Sequence, residues 1–189
     1  MTRRSSFGRR AVVLGASLAV AGVAGQAAAW HYHNQGWRDQ HRGYPPRPNG
    51  YSQIVNTFGK PCNDNASRNA LQWRAWDNGA WYTVRFHRRL GGAASSNLDN
   101  DVYGHILNNH LSPYIRHGIY GYNCRTIRGG SAWSTHAWGI AVDVSSAEEY
   151  YGKCHSTVNH HHDQVWKNHN WIWGLSFCDP MHFQYATGY

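Results

Sequence analysis

Four residues in the C-terminal part of the chain have side chains suited to metal-assisted chemistry: His136, Asp143, Asp179 and His182. Two imidazoles and one carboxylate make a three-ligand set that leaves the fourth position of a tetrahedral zinc site to water. Zinc lowers the pKa of such a water, and a neighbouring carboxylate can take its proton. Asp179 precedes His182 by three residues, with Pro180 restricting the turn between them, so a base beside a ligand is geometrically reasonable. Spacing alone proves little in a chain with 14 histidines. His136 and Asp143 stand seven apart, and an odd spacing puts two side chains on opposite faces of a straight strand. They converge only if the chain bends between them, and Gly139 supplies the dihedral freedom that a bend needs.

The flanking residues predict elements able to bring the four together. In residues 140–144, Ile140, Val142 and Val144 alternate with Ala141 and Asp143, as in a short strand. In residues 181–185, His182 and Gln184 share one face while Met181, Phe183 and Tyr185 share the other. As neighbours, these strands bury their apolar faces together and offer Asp143 and His182 to one cleft. Upstream, residues 71–76 and 80–88 read as strands joined by the turn signal Asp77-Asn78-Gly79, with Tyr82, Val84 and Phe86 on one apolar face. A short helix is expected over 52–58. Residues 91–96 read as a loop, Asn97 as the cap of a helix carrying Leu98, Val102 and Ile106, and Pro113 as its end or bend. A further turn is expected near 118–122 and a helix over 161–170. The mixture is α+β, with a small antiparallel sheet and flanking helices.

Other chemistry-bearing groups have plainer readings. His160-His161-His162, with His155 and His169 nearby, is a second metal candidate, but consecutive histidines splay apart on any regular element, so a solvated polar stretch is preferred. Trp133, Trp138, Trp166, Trp171 and Trp173 can line a glycan groove or fill a core, and core is the commoner role. Ser134 lacks the G-x-S-x-G surroundings of a triad nucleophile.

The start of the chain reads as an export signal. Arg3, Arg4, Arg9 and Arg10 precede an apolar run over 11–24, too short to span a bilayer comfortably, and Ala27-Ala28-Ala29 fits a cleavage site. Arg9-Arg10 also fits a twin-arginine signal. Residues 1–29 are therefore expected to be a signal peptide, 30–50 a Pro- and Gly-containing tether, and 51–189 the working domain. The leader arginines supply half of the net charge of +8. The rest holds no Lys/Arg cluster of a nucleic-acid stripe, though a modest positive charge suits an anionic wall surface. No other segment approaches membrane-spanning length, and the chain is read as a monomer. Four cysteines in an exported chain predict two disulfides. Three pairings are possible; Cys62–Cys124 with Cys154–Cys178 is the favoured one.

The segment Ser134-Thr135-His136-Ala137-Trp138-Gly139-Ile140-Ala141-Val142-Asp143 fits S-x-H-x-x-G-x-A-x-D, and Trp173-Gly174 followed by Asp179-Pro180-Met181-His182-Phe183 fits W-G…D-x-x-H-F. Together, over 123–185, they resemble the zinc D-alanyl-D-alanine carboxypeptidase family. That family includes L-alanyl-D-glutamate endolysins and vancomycin-resistance D,D-peptidases, and is related in fold to the Hedgehog amino-terminal domain. Asp at position 179 is similar to the endolysin-like branch. The resemblance implies a Hedgehog-like fold, zinc on His136, Asp143 and His182, and Asp179 as the catalytic acid and base. It also implies a substrate-side serine at Ser134 and an upstream arginine for a substrate carboxylate or the oxyanion. Arg125 and Arg128 both fit that last part, and spacing does not separate them. The implied activity is hydrolysis of peptidoglycan stem peptides, either at a terminal D-Ala or between L-Ala and D-Glu. The competing expectation is a non-catalytic wall- or partner-binding module on the same zinc-containing scaffold; a structural secreted protein is a third.

Overall fold

In the computed structural model, residues 44–90, 98 and 102–188 are described. The expected signal peptide, most of the tether, the loop over 91–96 and the Asn97 cap lie outside the described residues. The elements that follow are helix α1 (Gly50–Phe58), strands β1 (Asn69–Arg74) and β2 (Trp81–Phe86), helix α2 (Gly104–Asn108), strand β3 (Ala141–Asp143), helix α3 (Asp163–Asn168), and strands β4 (Ile172–Trp173) and β5 (His182–Gln184). Short 3-10 turns connect several of them. The fold class is α+β, as expected.

The strands form two antiparallel sheets: the hairpin β1-β2, and a three-stranded sheet in the order β3-β5-β4. Hairpin register pairs Leu71 with Val84 and Trp73 with Tyr82. Leu71, Trp73, Val84 and Phe86 are buried on its inner face, which is the period-2 pattern of a half-covered ribbon. At the hairpin turn the Asn78 Oδ1 accepts from the Ala80 amide at 2.9 Å. The Asp77 carboxylate pairs with the His117 ring and accepts from its amide at 3.0 Å.

One buried cluster joins the hairpin, the helices and the three-stranded sheet. Trp73, Val84, Phe86, Leu98, Val102 and Ile106 meet Trp138, Ile140, Val142, Val144, Trp166 and Phe183 there. Trp166 stacks on Phe183 with ring centroids 4.2 Å apart, and Trp73 on Tyr103 at 4.6 Å. Each large side chain removed from water in this way contributes about 1.5–3 kcal/mol. Helix α1 adds Ile54 and Phe58 from one face, four residues apart. Residues 45–50, which lead into it, are tied to the C-terminal segment. The Tyr185 hydroxyl donates to the Pro45 carbonyl at 3.2 Å, the Thr187 amide to the Pro48 carbonyl at 2.9 Å, and the Gly50 amide to the Thr187 carbonyl at 2.7 Å.

The helix expected over 161–170 is shorter, a 3-10 turn at Asn159–His161 followed by α3. The break falls at His162, at φ −123°, ψ 4°, one turn after Asn159. The buried amide of Asn159 donates to the Val144 carbonyl at 2.8 Å and the Pro180 carbonyl at 3.0 Å, clamping two strand ends. Both disulfides have the favoured pairing, Cys62–Cys124 and Cys154–Cys178. Among the described residues no helix is long and apolar enough to cross a membrane.

Candidate metal centre and cleft

Strands β3 and β5 pair so that Asp143 stands directly opposite His182. Residues facing each other across an antiparallel pair have Cβ atoms about 5 Å apart, so register alone brings these two together. His136 arrives from the 3-10 turn Thr135–Trp138. That turn is capped by Ser134, whose Oγ accepts from the His136 amide at 3.4 Å. It is closed by Gly139 at φ 64°, ψ 31°. A Cβ on Gly139 would lie 1.8 Å from the Ala66 carbonyl oxygen, so both the left-handed backbone and the close approach demand glycine. This is the bend that the odd spacing of His136 and Asp143 required. The turn is held from outside as well. The Cys62 amide donates to the Ala137 carbonyl at 2.7 Å and the Asn123 amide to the His136 carbonyl at 3.1 Å, next to the Cys62–Cys124 bridge.

The three ligand atoms form a nearly equilateral triangle. His136 Nε2 is 3.1 Å from Asp143 Oδ1 and 3.2 Å from His182 Nδ1, and His182 Nδ1 is 3.0 Å from Asp143 Oδ1. A tetrahedral zinc with bonds of about 2.0–2.1 Å has ligand–ligand edges of about 3.3–3.4 Å, close to this triangle. The outer hydrogen bonds set both imidazole tautomers. His136 Nδ1 donates to the Gly121 carbonyl at 2.7 Å, which leaves Nε2 as a lone pair. Gln184 donates its amide to the Ala186 carbonyl at 3.1 Å, so its Oε1 faces back and accepts from His182 Nε2 at 3.0 Å. His182 Nδ1 is thereby the second lone pair. Two lone pairs and a carboxylate oxygen, all buried, converge on one point with no hydrogen of their own among them. The three could hold a metal ion, and this donor set suits zinc. Without a metal a proton takes that part. Although burial favours neutral groups, the imidazoles bring Asp143 well below the ordinary carboxylate range, and Asp143 raises His182 above an ordinary histidine.

Asp179 lies beside this triangle, its amide accepted by the Gly174 carbonyl at 3.0 Å and its carbonyl accepting from the His182 amide at 3.1 Å. Its Oδ1 is buried with no hydrogen-bond partner. Burial pushes its carboxyl above the ordinary value, against the pull of His182. A poised, unpartnered carboxylate oxygen next to a metal-binding point is chemically suited to take a proton.

Above the triangle opens a cleft of about 1030 Å³, lined on one stretch by Arg125, Thr126, Ile127, Arg128 and Ser134 and elsewhere by Tyr120, Tyr150, Tyr151, Phe177, Asp179 and Met181. The Arg125–Ser134 stretch folds back on itself. The Ile127 amide donates to the Ala132 carbonyl at 2.8 Å and the Ser134 amide to the Arg125 carbonyl at 3.1 Å. Arg125 and Arg128 are both exposed along it. Sequence reasoning gave no role to Gln184, although it shares the strand face of His182, nor to Thr135, whose Oγ1 donates to Gln184 Oε1 at 3.1 Å and lies 3.3 Å from His182 Nε2. It also gave none to the tyrosines of the cleft, which no motif marks.

The remaining candidates fall elsewhere. His162 is not solvated: it is fully buried, held by Asn159 Oδ1 at 3.1 Å and by the Trp166 indole, which donates to its Nδ1 at 3.0 Å. Burial lowers its pKa to about 4. His160 and His161 are exposed, and His161 stacks on Tyr114. Among the described residues only His136, Asp143 and His182 group as metal ligands. Trp138, Trp166 and Trp171 belong to the core, and Trp133 and Trp173 pack against it.

The geometry agrees with one sequence comparison. Residues 128–185 match the profile of a family described as D-alanyl-D-alanine carboxypeptidase. The matched stretch contains Arg128, Ser134, the three ligands and Asp179. No curated protein matches the chain, and no solved structure does.

Proposed function

We propose that the protein is a zinc-dependent peptidase acting on peptidoglycan stem peptides. The observation that carries the reading is the convergence of His136 Nε2, Asp143 Oδ1 and His182 Nδ1 beside the unpartnered Oδ1 of Asp179. Similarity to D-alanyl-D-alanine carboxypeptidases over the residues that build the site supports the substrate class.

In this reading His136, Asp143 and His182 hold the zinc, and Gly121 and Gln184 fix the two imidazoles in the tautomers that bind it. When bound, zinc supplies Lewis acidity, polarising the scissile carbonyl and acidifying a water. Asp179 Oδ1 takes the proton of the attacking water and returns it to the leaving amine. The burial that raises its pKa helps it keep that proton between the two transfers. Arg125 stabilises the developing oxyanion, and Arg128 binds a carboxylate of the stem. Ser134 Oγ already accepts from the His136 amide, so its own hydrogen is free to donate to a substrate carbonyl. Two disulfides suit an exported enzyme meeting this substrate outside the cytoplasm.

The test is mass spectrometry of muropeptides incubated with the zinc-loaded protein, with and without chelator. The expected result is loss of a terminal D-Ala or scission between L-Ala and D-Glu, abolished by chelation and restored by zinc. A protein that takes up zinc and leaves every muropeptide intact would be a binding module instead.

A further inference from the structure

The cleft carries a feature that stem-peptide hydrolysis does not use. Four aromatic side chains line it, and all stand open to water: Tyr120 at 58 %, Tyr150 at 59 %, Tyr151 at 63 % and Phe177 at 44 % relative exposure. Large aromatics left in water beside a catalytic cleft forgo the stabilisation that burial would bring, and here the backbone holds them in place. Tyr120 is paired to Asp143 through both backbone hydrogen bonds, 3.0 and 2.8 Å. Phe177 has its ring centroid 6.1 Å from that of His182. The loop bearing Tyr150 and Tyr151 is fastened at both ends. Before it, the buried Glu149 accepts from the Ser156 hydroxyl and from the amides of Thr157, Val158 and Asn159. After it, the Gly152 amide donates to the Cys178 carbonyl at 2.7 Å, and Cys154 is bonded to Cys178 itself.

We propose that Tyr120, Tyr150, Tyr151 and Phe177 form a carbohydrate subsite, so that the preferred substrate is a stem peptide still attached to its glycan. The proposal rests on the peptidase reading and names the form of its substrate. The cleft offers both charged and uncharged groups to such a molecule. Stem residues are small or charged, and their carboxylates find Arg125 and Arg128. The four rings carry no charge. Three of them end in a hydroxyl that can hydrogen-bond sugar hydroxyls, while their faces accept the C–H face of a pyranose. A volume of about 1030 Å³ lies at the upper end of ordinary ligand pockets, which is more than a terminal dipeptide fills.

Two measurements test this. In the first, zinc-loaded protein is titrated with a peptide-free N-acetylglucosamine tetrasaccharide and followed by NMR. Wild type is expected to bind, and Tyr150→Ala/Tyr151→Ala to bind about tenfold or more weakly. Tyr150→Phe/Tyr151→Phe, which keeps the rings, should retain most of the affinity and guards against misfolding of the alanine variant. In the second, kcat/KM is compared for one stem peptide free and linked to its disaccharide. Wild type should favour the linked form, and the alanine variant should lose that preference at unchanged zinc content. The proposal is overturned if wild type neither binds the tetrasaccharide nor prefers the linked substrate. It is equally overturned if the alanine variant loses both substrates in equal measure, since the rings then pack on peptide. Saccharide binding without hydrolysis of any peptide would sink the peptidase reading and leave the subsite standing.

Discussion

A histidine that binds zinc must present a bare nitrogen, and in this site the neighbour on the far side of each ring decides which nitrogen that is. For His136 the neighbour is a backbone carbonyl, which no substitution removes. For His182 it is chiefly the Gln184 side chain, itself oriented by its bond to Ala186, with Thr135 Oγ1 at 3.3 Å as a second acceptor. Gln184→Leu keeps the volume and removes the nearer acceptor, leaving Thr135 Oγ1 alone. It should weaken zinc binding about 10–100-fold, measured by competition with a chromogenic chelator, while Gln184→Glu, which retains an acceptor, should lose much less. Equal affinity in all three would show that the tautomer is set by something else. At this scale the sequence was informative about residue types and poor at their partners. The two motifs expose His136, Asp143, Asp179 and His182, because chemistry restricts which residues serve. The Gly121 carbonyl and the cleft tyrosines are selected by position in space, and no local pattern encodes that.

At the scale of elements, the site depends on a register and a bend. The register was legible, since alternation in 140–144 and 181–185 fixes which faces pair, and Asp143 does oppose His182. The bend was legible only as a glycine; its reason, the Ala66 carbonyl lying where a Cβ would go, is tertiary. Gly139→Ala should therefore destabilise the fold by more than the about 1–3 kcal/mol of a left-handed non-glycine residue, read from the denaturant midpoint, and zinc should be lost with it. A variant as stable as wild type would remove the argument for the bend. Other elements escaped sequence reasoning for physical reasons. Strand β4 has two residues, too few for any periodicity, and exists because β5 offers it an edge. The helix expected from 161 begins late because Asn159 and His162 turn inward to satisfy buried partners.

For the whole molecule, stability and chemistry share one set of buried groups. Glu149 is buried, a condition that raises a carboxyl, yet its hydrogen bonds from Ser156, Val158, Asn159 and Lys153 outweigh this and bring it down to about 2. A carboxyl depressed on folding contributes stability above its unfolded value of 4.5 that is lost as pH falls toward 2. His87 and His162 are buried neutral and lowered from 6.5 to about 4. The unfolded chain takes up their protons first, so stability should begin to fall between pH 6.5 and 4 as well. Denaturation midpoints across pH 2–8 should show both losses, and Glu149→Gln should shrink the lower one without removing it, because Asp143 and Asp77 are depressed as well; a variant with an unchanged acid limb would contradict the assignment. The disulfide pairing, favoured among three from the sequence, ties this architecture to the site. One bridge braces the turn of His136, and the other ends at the residue before Asp179. The central claim is that Asp179 moves protons beside a zinc it does not bind. It is tested most directly by measuring zinc content and muropeptide hydrolysis together for wild type and Asp179→Asn. Asparagine keeps the shape but cannot take a proton near neutral pH, so the variant should hold its full zinc complement and cut about 10²–10⁴-fold more slowly. A variant that cuts as fast as wild type would place the base elsewhere, and one that loses its zinc would make Asp179 a ligand.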